Sequence, residues 1–345
     1  MEGRLIFSFV GPRCGSAAQT PFKVNIESDP SSTCSNRISI AQMTLSVLIC
    51  AHNPRMDYLT RVLQALKGQD LPCSEWELLL IDNASRVPLA ETCDLSWHPH
   101  ARCVVETEVG LVHARLCAIR EAQGEILIFV DDDNVLAPDY LLECTRISER
   151  SYLGAWGGQQ FPEFEGGEPQ EAWKREFWTG QLEKEIWSNN YDRETAPVGA
   201  GLCIRRTVAS QYTKLAAGHS LRLKLGRKGT GLDSATEDID MAYAACDMGL
   251  GIGRFASLRL VHLIPRQRLT DDYLFRWIEG CYYSETIMIA LRQGIPARRC
   301  RVDRLVDFYK GLRMPKLQRW IARAAAHGRA RALNDLVDSR SVSDS

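Results

Sequence analysis

Three short apolar runs, each breaking abruptly into a polar cluster, constrain this chain more than any other feature. Leu45-Ser46-Val47-Leu48-Ile49-Cys50 leads into Ala51-His52-Asn53, and Glu77-Leu78-Leu79-Leu80-Ile81 leads into Asp82-Asn83-Ala84-Ser85. Glu125-Ile126-Leu127-Ile128-Phe129-Val130 leads into Asp131-Asp132-Asp133-Asn134. Apolar runs this short, without polar alternation, read as strands buried on both faces. Helical periods lie between them. Leu59, Val62, Leu63 and Leu66 recur at helical spacing up to Gly68, and a second helical stretch runs from about His113 to Ala122 and stops at Gly124. The first helix is expected to open with Asn53 as N-cap and Pro54 in the first helical position. Alternating strands and helices imply a parallel sheet with helices on both faces. Ligands bind such sheets beyond the carboxyl ends of the strands, where the three polar clusters fall.

The 345 residues, 45% hydrophobic and 25% charged, suffice for one large domain with appendages or two unequal ones. A formal net charge of -1 gives no support to a nucleic-acid role, which usually needs a basic excess. No apolar run approaches the roughly 18–20 residues needed to span a bilayer. The apolar stretch Leu5–Val10 is short, and Glu2 offsets Arg4 before it, so it is read as no signal peptide. The 12 cysteines form no Cys-x-x-Cys pair, which argues against a zinc ribbon or redox dithiol. Several lie in apolar patterns as small reduced core residues, which favours a cytoplasmic location.

Residues 1–43, rich in Ser, Pro, Gly and Asn, read as a disordered extension. In the middle, Trp173, Phe177, Trp178, Leu182, Ile186 and Trp187 suggest an amphipathic helix; core packing is the plainer reading of its aromatics, with one or two lining a sugar site the other. After Arg301 the chain is helical and basic. Leu317, Trp320, Ile321 and Ala324 share one face, with Arg319, Arg323, Arg329 and Arg331 around them. Peripheral docking on an anionic membrane at its inner face and simple packing with a solvated polar side both fit this pattern.

Three consecutive aspartates after a buried strand repel one another, and a divalent cation, Mn²⁺ or Mg²⁺, would compensate them. A solvated acidic turn is the alternative for such a motif in isolation. In Ser234-Ala235-Thr236-Glu237-Asp238-Ile239-Asp240, Ser234 or Thr236 would cap a helix that closes at Gly249. Its acidic first turn serves the helix dipole or supplies a general base, and spacing leaves the two readings even. His262 ends the apolar run Leu258–Val261 and reads as either a hydrogen-bonded structural residue or a metal ligand. Arg266 and Arg268 follow, as phosphate forks or as surface charge.

In this order the pieces from about Thr44 to Thr270 resemble the family 2 glycosyltransferases of GT-A fold. To the strand-end clusters are added Gly110 to Arg115, Gly124-Glu125, Gly199-Ala200-Gly201 before Arg205-Arg206, and Thr236-Glu237-Asp238 followed by His262. The resemblance implies an α/β fold with a Rossmann-like, mostly parallel sheet flanked by helices. It divides residues 44–270 into a nucleotide-binding half (44–135) and an acceptor-binding half (136–270), followed by a helical basic C-terminal region (271–345) with a disordered tail.

It also implies inverting, metal-dependent transfer from a nucleotide-sugar donor, UDP-linked above all, to the hydroxyl of a glycan or lipid-linked acceptor. Ala51, His52, Asn53 and Asp82 would contact the base, and Arg115 the base or diphosphate. Asp131 and Asp132 would face the ribose and sugar, and Asp133 with His262 would hold the metal. Asp238 would be the base with Glu237 beside it; Gly199, Ala200 and Gly201 would leave room for sugar, and Arg268 would meet phosphate. His52 stands where the family often has Tyr. Leu317-Gln318-Arg319-Trp320 lacks the Gln-x-x-Arg-Trp spacing of processive synthases, so a non-processive enzyme is expected. The rivals are a sugar nucleotidyltransferase, which needs a Gly-rich basic loop where His52-Asn53-Pro54-Arg55 stands, and an inactive glycan-binding module.

Overall fold

The computed structural model describes residues 44–167, 182–228, 236–295, 309 and 313–343. The expected extension over 1–43, the aromatics Trp173, Phe177 and Trp178, and Ser234 lie outside the described residues. The three apolar runs form strands β1 (Leu45–Ala51), β2 (Trp76–Asn83) and β4 (Ile126–Val130), each buried almost throughout. β1 pairs in parallel with β2 on one side and β4 on the other, and β3 (Ala101–Glu106) extends the parallel set beyond β2. Four further strands complete the main path: β5 (Asn134–Leu136), β6 (Leu153–Phe164), β8 (Leu202–Arg205) and β9 (Gly251–Ile264). The order is β3-β2-β1-β4-β8-β6-β9-β5, with β7 (Ile186–Ser188) paired on β9. The core of the sheet is parallel, as expected, while β8, β5 and β7 join antiparallel.

Alternate side chains of β1 feed two cores, because successive residues of a strand point to opposite faces. Leu45, Val47 and Ile49 pack under α1 (Met56–Lys67) and α4 (Tyr140–Ser148). Leu48 faces the other core, formed by α3 (Leu111–Glu121), α5 (Arg206–Ala217) and α7 (Glu237–Asp247). Two short helices, α2 (Leu89–Thr92) and α6 (Ser220–Leu223), fill turns, and the long helices α8 (Asp271–Gln293) and α9 (Lys316–Ser343) pack on each other.

Several local expectations change. The first helix opens at Met56 with Arg55 as N-cap and no side-chain cap bond. Asn53 instead holds a left-handed turn (φ 48°) and accepts from the Arg86 amide through its side chain at 2.9 Å. Thr236 stands at the N-cap of α7 but caps nothing; its hydroxyl meets Met288 Sδ at 3.8 Å. Ile186 and Trp187 belong to strand β7 rather than to a helix, because pairing with β9 outweighs their helical spacing.

In α9 the packed reading holds for the face carrying Ala324, Ala332 and Leu336, all buried. Arg331 also packs inward, pairing with Glu279 of α8 at 2.6 Å. Among the described residues no helix is long and apolar enough to cross a membrane, and the described cysteines are free thiols.

Candidate active site

Parallel register brings the strand ends to one edge of the sheet. Ala51 lies opposite Asp82, and Ile49 opposite Val130, so the chain leaves β1, β2 and β4 side by side. Antiparallel pairing of β5 with β9 sets Asn134 opposite His262, and the Leu263 amide donates to the Asp133 carbonyl at 2.9 Å. His262 Nε2 thereby comes within 3.6 Å of Asp133 Oδ2, although 128 positions separate the two in sequence. Arg268 Nη1 reaches the same oxygen at 2.8 Å from the turn after β9.

From the opposite face, α7 presents Glu237 and Asp238 at its N-terminus. The helix is anchored one turn in by Asp240, wholly buried and ion-paired to Arg222 at 2.6 Å and to Arg292. Asp238 Oδ1 accepts from the Ile239 amide at 2.8 Å, and Oδ2 accepts from the Gly199 amide. Arg115, 2% exposed, ties the two halves together: Nη1 meets Glu237 at 2.9 Å and Nη2 meets Asp131 at 3.4 Å.

These groups line one open cavity of about 570 Å³. Ala51, His52, Asn53, Arg115, the three aspartates, Gly199, Ala200, Glu237, Asp238, His262 and Arg268 all border it. Asp82 and Gly201 do not border it. Both Asp82 carboxylate oxygens accept from backbone amides, Ser85 at 2.9 Å and Leu89 at 2.9 Å, so this side chain shapes the loop after β2. Gly201 sits behind the wall (φ 74°), its carbonyl accepting from the Tyr140 hydroxyl at 2.7 Å.

Asn83 faces the cavity where Asp82 was expected. Its carbonyl lies 2.6 Å from His52 Nδ1, so that nitrogen carries the proton and Nε2 accepts from the Asn53 amide at 2.9 Å. Tyr58, Arg193, Arg227, Trp277 and Cys281 also border the cavity without having been singled out from sequence. Trp277 and Cys281 are four apart on α8, which puts them on one helix face, but local spacing carries no sign that this face closes a site.

The electrostatics are uneven. Burial, reinforced by Asp133 and Asp131, pushes the Asp132 carboxyl up to about 7. Burial also raises Asp131 against the pull of Arg115. Asp133 is equally buried, yet His262 and Arg268 hold it below the ordinary carboxylate range. Glu237 is pushed up to about 7 by burial in spite of Arg115. The cavity floor is therefore acidic and poorly solvated, and a cation or a cationic side chain relieves it.

Gly199 is a point of close approach. A Cβ there would lie 2.6 Å from Arg115 Nη2 and 3.1 Å from Asp238 Oδ2. Gly199→Ala is expected to push Arg115 and Asp238 aside and to destabilise the fold by about 1–3 kcal/mol, the usual cost of overpacking. An unchanged urea midpoint would refute this reading.

Residues 46–213 match the family model described as glycosyl transferase family 2. A mannosyltransferase from Pyrobaculum calidifontis, solved in complex with GDP-Man and Mn²⁺, has 19% identity and a TM-score of 0.51. The match covers 87% of this chain and 80% of that one, and it shows a common GT-A fold. TarS 1-349 of S. aureus aligns over 86% of this chain and 83% of its own at 14% identity and a TM-score of 0.49. Among curated proteins none matches the chain by sequence. The chain carries its acidic triplet, imidazole and helix-borne carboxylates in one cleft of this fold, and α8 extends the cleft wall beyond residue 270.

Proposed function

We propose that the chain is an inverting, non-processive glycosyltransferase that moves a sugar from a nucleotide-diphosphate donor, UDP-linked, to an acceptor hydroxyl. The observation that carries this reading is the convergence of Asp133, His262, Arg115 and Asp238 on a single cavity from both sides of the sheet edge. Ala51, His52, Asn53 and Asn83 hold the base, and Asp131 and Asp132 face the ribose and sugar. Asp238 takes the proton of the acceptor hydroxyl. The acceptor oxygen then forms a bond to the anomeric carbon while the bond from that carbon to the phosphate oxygen breaks, its electron pair leaving with the nucleoside diphosphate. The Gly199 and Ile239 amides hold the Asp238 carboxylate in place, so little reorganisation is needed at the moment of transfer.

The residues present fit a divalent cation. Asp133 and His262 form a carboxylate–imidazole pair, and the neighbouring Asp131 and Asp132 add negative charge to the same floor. Among the described residues no third His, Cys, Asp or Glu completes a protein cage, which suits an ion that takes its other ligands from phosphate and water. When bound, the ion would stabilise negative charge on the departing diphosphate. Arg268, now on Asp133, adds a fork for phosphate oxygens.

Thermal-shift titration with UDP- and GDP-sugars, with and without Mn²⁺, tests the reading, because specific binding raises apparent stability. A shift that needs both nucleotide and metal supports it; none with any nucleotide sugar overturns it. Asp133→Ala is expected to weaken Mn²⁺-dependent nucleotide binding at least about tenfold, from the loss of one charged ligand. Undiminished metal dependence would remove Asp133 from the metal site.

A further inference from the structure

Two arginines border the active cavity without a carboxylate of their own. Arg115 is committed to Glu237 and Asp131, Arg268 to Asp133, and Arg55 to Asp57 and Glu165. The guanidinium groups of Arg193 and Arg227 have no hydrogen bond or ion pair among the described residues, yet both line the cavity. They share this cavity with Asp238. Burial pushes the Cys281 thiol on α8 up to about 11, while Arg193 and Arg227 draw it down and Asp238 and Glu285 add to the rise. Arg227 also acts on Asp131, Asp133 and Glu237, so its charge reaches across the cavity floor.

Arg227 also borders a second cavity of about 620 Å³ beside the N-terminus of α3. Its main chain is pinned there, with the Leu111 amide donating to the Arg227 carbonyl at 2.9 Å. Lys224 and Lys228 line this second cavity, and neither has an ion pair among the described residues. The acids in its wall are engaged: Glu108 faces His113 at 3.4 Å, and Asp335 accepts from the Tyr283 hydroxyl at 2.7 Å. A run of cations without ion pairs among the described residues thus leads from Arg193 and Arg227 in the active cavity to Lys224 and Lys228 in the adjoining one. Planar guanidinium forks match phosphate oxygens in pairs, and the lysines add point charges further along.

We propose that the acceptor is phosphate-bearing, its hydroxyl at Asp238 and its phosphate held by Arg193 and Arg227, with the rest of the molecule running into the cavity lined by Lys224 and Lys228. This deepens the glycosyltransferase reading and rests on it.

The test uses the full chain loaded with UDP and Mn²⁺. Glucose 6-phosphate and phosphatidylglycerol vesicles are the probes, with glucose and phosphatidylcholine vesicles as neutral counterparts. Wild type is compared with R193Q/R227Q and with K224Q/K228Q, each checked for native circular dichroism. The expected result is binding of a phosphate probe over its neutral counterpart, weakened at least about tenfold in R193Q/R227Q and less in K224Q/K228Q, with UDP affinity within about twofold of wild type. Arginine-dependent binding of glucose 6-phosphate places the phosphate on a soluble glycan or polyol; arginine-dependent vesicle binding places it on a lipid carrier.

R227K keeps the charge without the fork and should retain part of the binding. Phosphate binding indifferent to both arginines, or no preference for phosphate, overturns the proposal. So does a parallel loss of UDP affinity, which would assign the arginines to the donor. Failure of wild type to bind UDP at all would instead sink the glycosyltransferase reading.

Discussion

Asp238→Asn is expected to lower sugar transfer by about 10²- to 10⁴-fold, the range for loss of a positioned general base, while leaving nucleotide affinity within a few-fold. The substitution preserves shape. Oδ1 still accepts from the Ile239 amide, and the side chain still fills the space beside Gly199. What it loses is the hydrogen bond that Oδ2 accepts from the Gly199 amide and the ability to take a proton from the acceptor hydroxyl. The buried Asp240, paired with Arg222 and Arg292, holds α7 whatever stands two residues earlier, so the fold should not move. Turnover and nucleotide Kd are the two readouts. Turnover within tenfold of wild type would take the base role away from Asp238; a large fall in nucleotide affinity with it would make the residue a donor contact instead.

Arg115→Met should have the largest effect on stability, a loss of about 3–5 kcal/mol, because removing one partner of a buried pair strands the other. Here two carboxylates are stranded: Glu237, itself buried, and Asp131. The loss has a pH signature. Glu237 already keeps its proton up to about 7 in the folded chain, against 4.5 as its ordinary value, and without Arg115 that pKa rises further. A carboxyl raised on folding binds more protons folded than unfolded, so its stability contribution is fullest below about 4.5 and is lost as pH rises through the folded pKa. Urea unfolding of Arg115→Met should therefore show a larger deficit at pH 8 than at pH 5. A deficit independent of pH would mean that Arg115 acts by packing over Phe129, where it stacks at 5.5 Å, rather than by charge.

The strand ends were legible because each strand is a continuous apolar run whose last residue is followed at once by groups that cannot be buried unpaired. Parallel pairing of β1 with β2 and β4 then aligns those ends by register alone. Asp82 lies off the cavity wall for a local reason. It and Asn83 leave β2 on opposite faces, and the sequence does not say which face is the cavity; Asp82 turned inward to cap its own loop. The helix expected around Ile186 and Trp187 failed because a three-residue strand on β9 is a tertiary contact that no local period encodes.

Apolar patterning, Gly stops and acidic clusters in order were enough by themselves to specify a layered α/β chain with three polar strand ends and a carboxylate-bearing helix start. Only the tertiary structure decided that His262 meets Asp133, that Arg115 joins Asp131 to Glu237, and that Arg193 and Arg227 share a cavity with Asp238. Each of these depends on antiparallel pairing or helix packing between segments far apart in the chain, and such contacts are set by the free energy of the whole core rather than by any local run of residues.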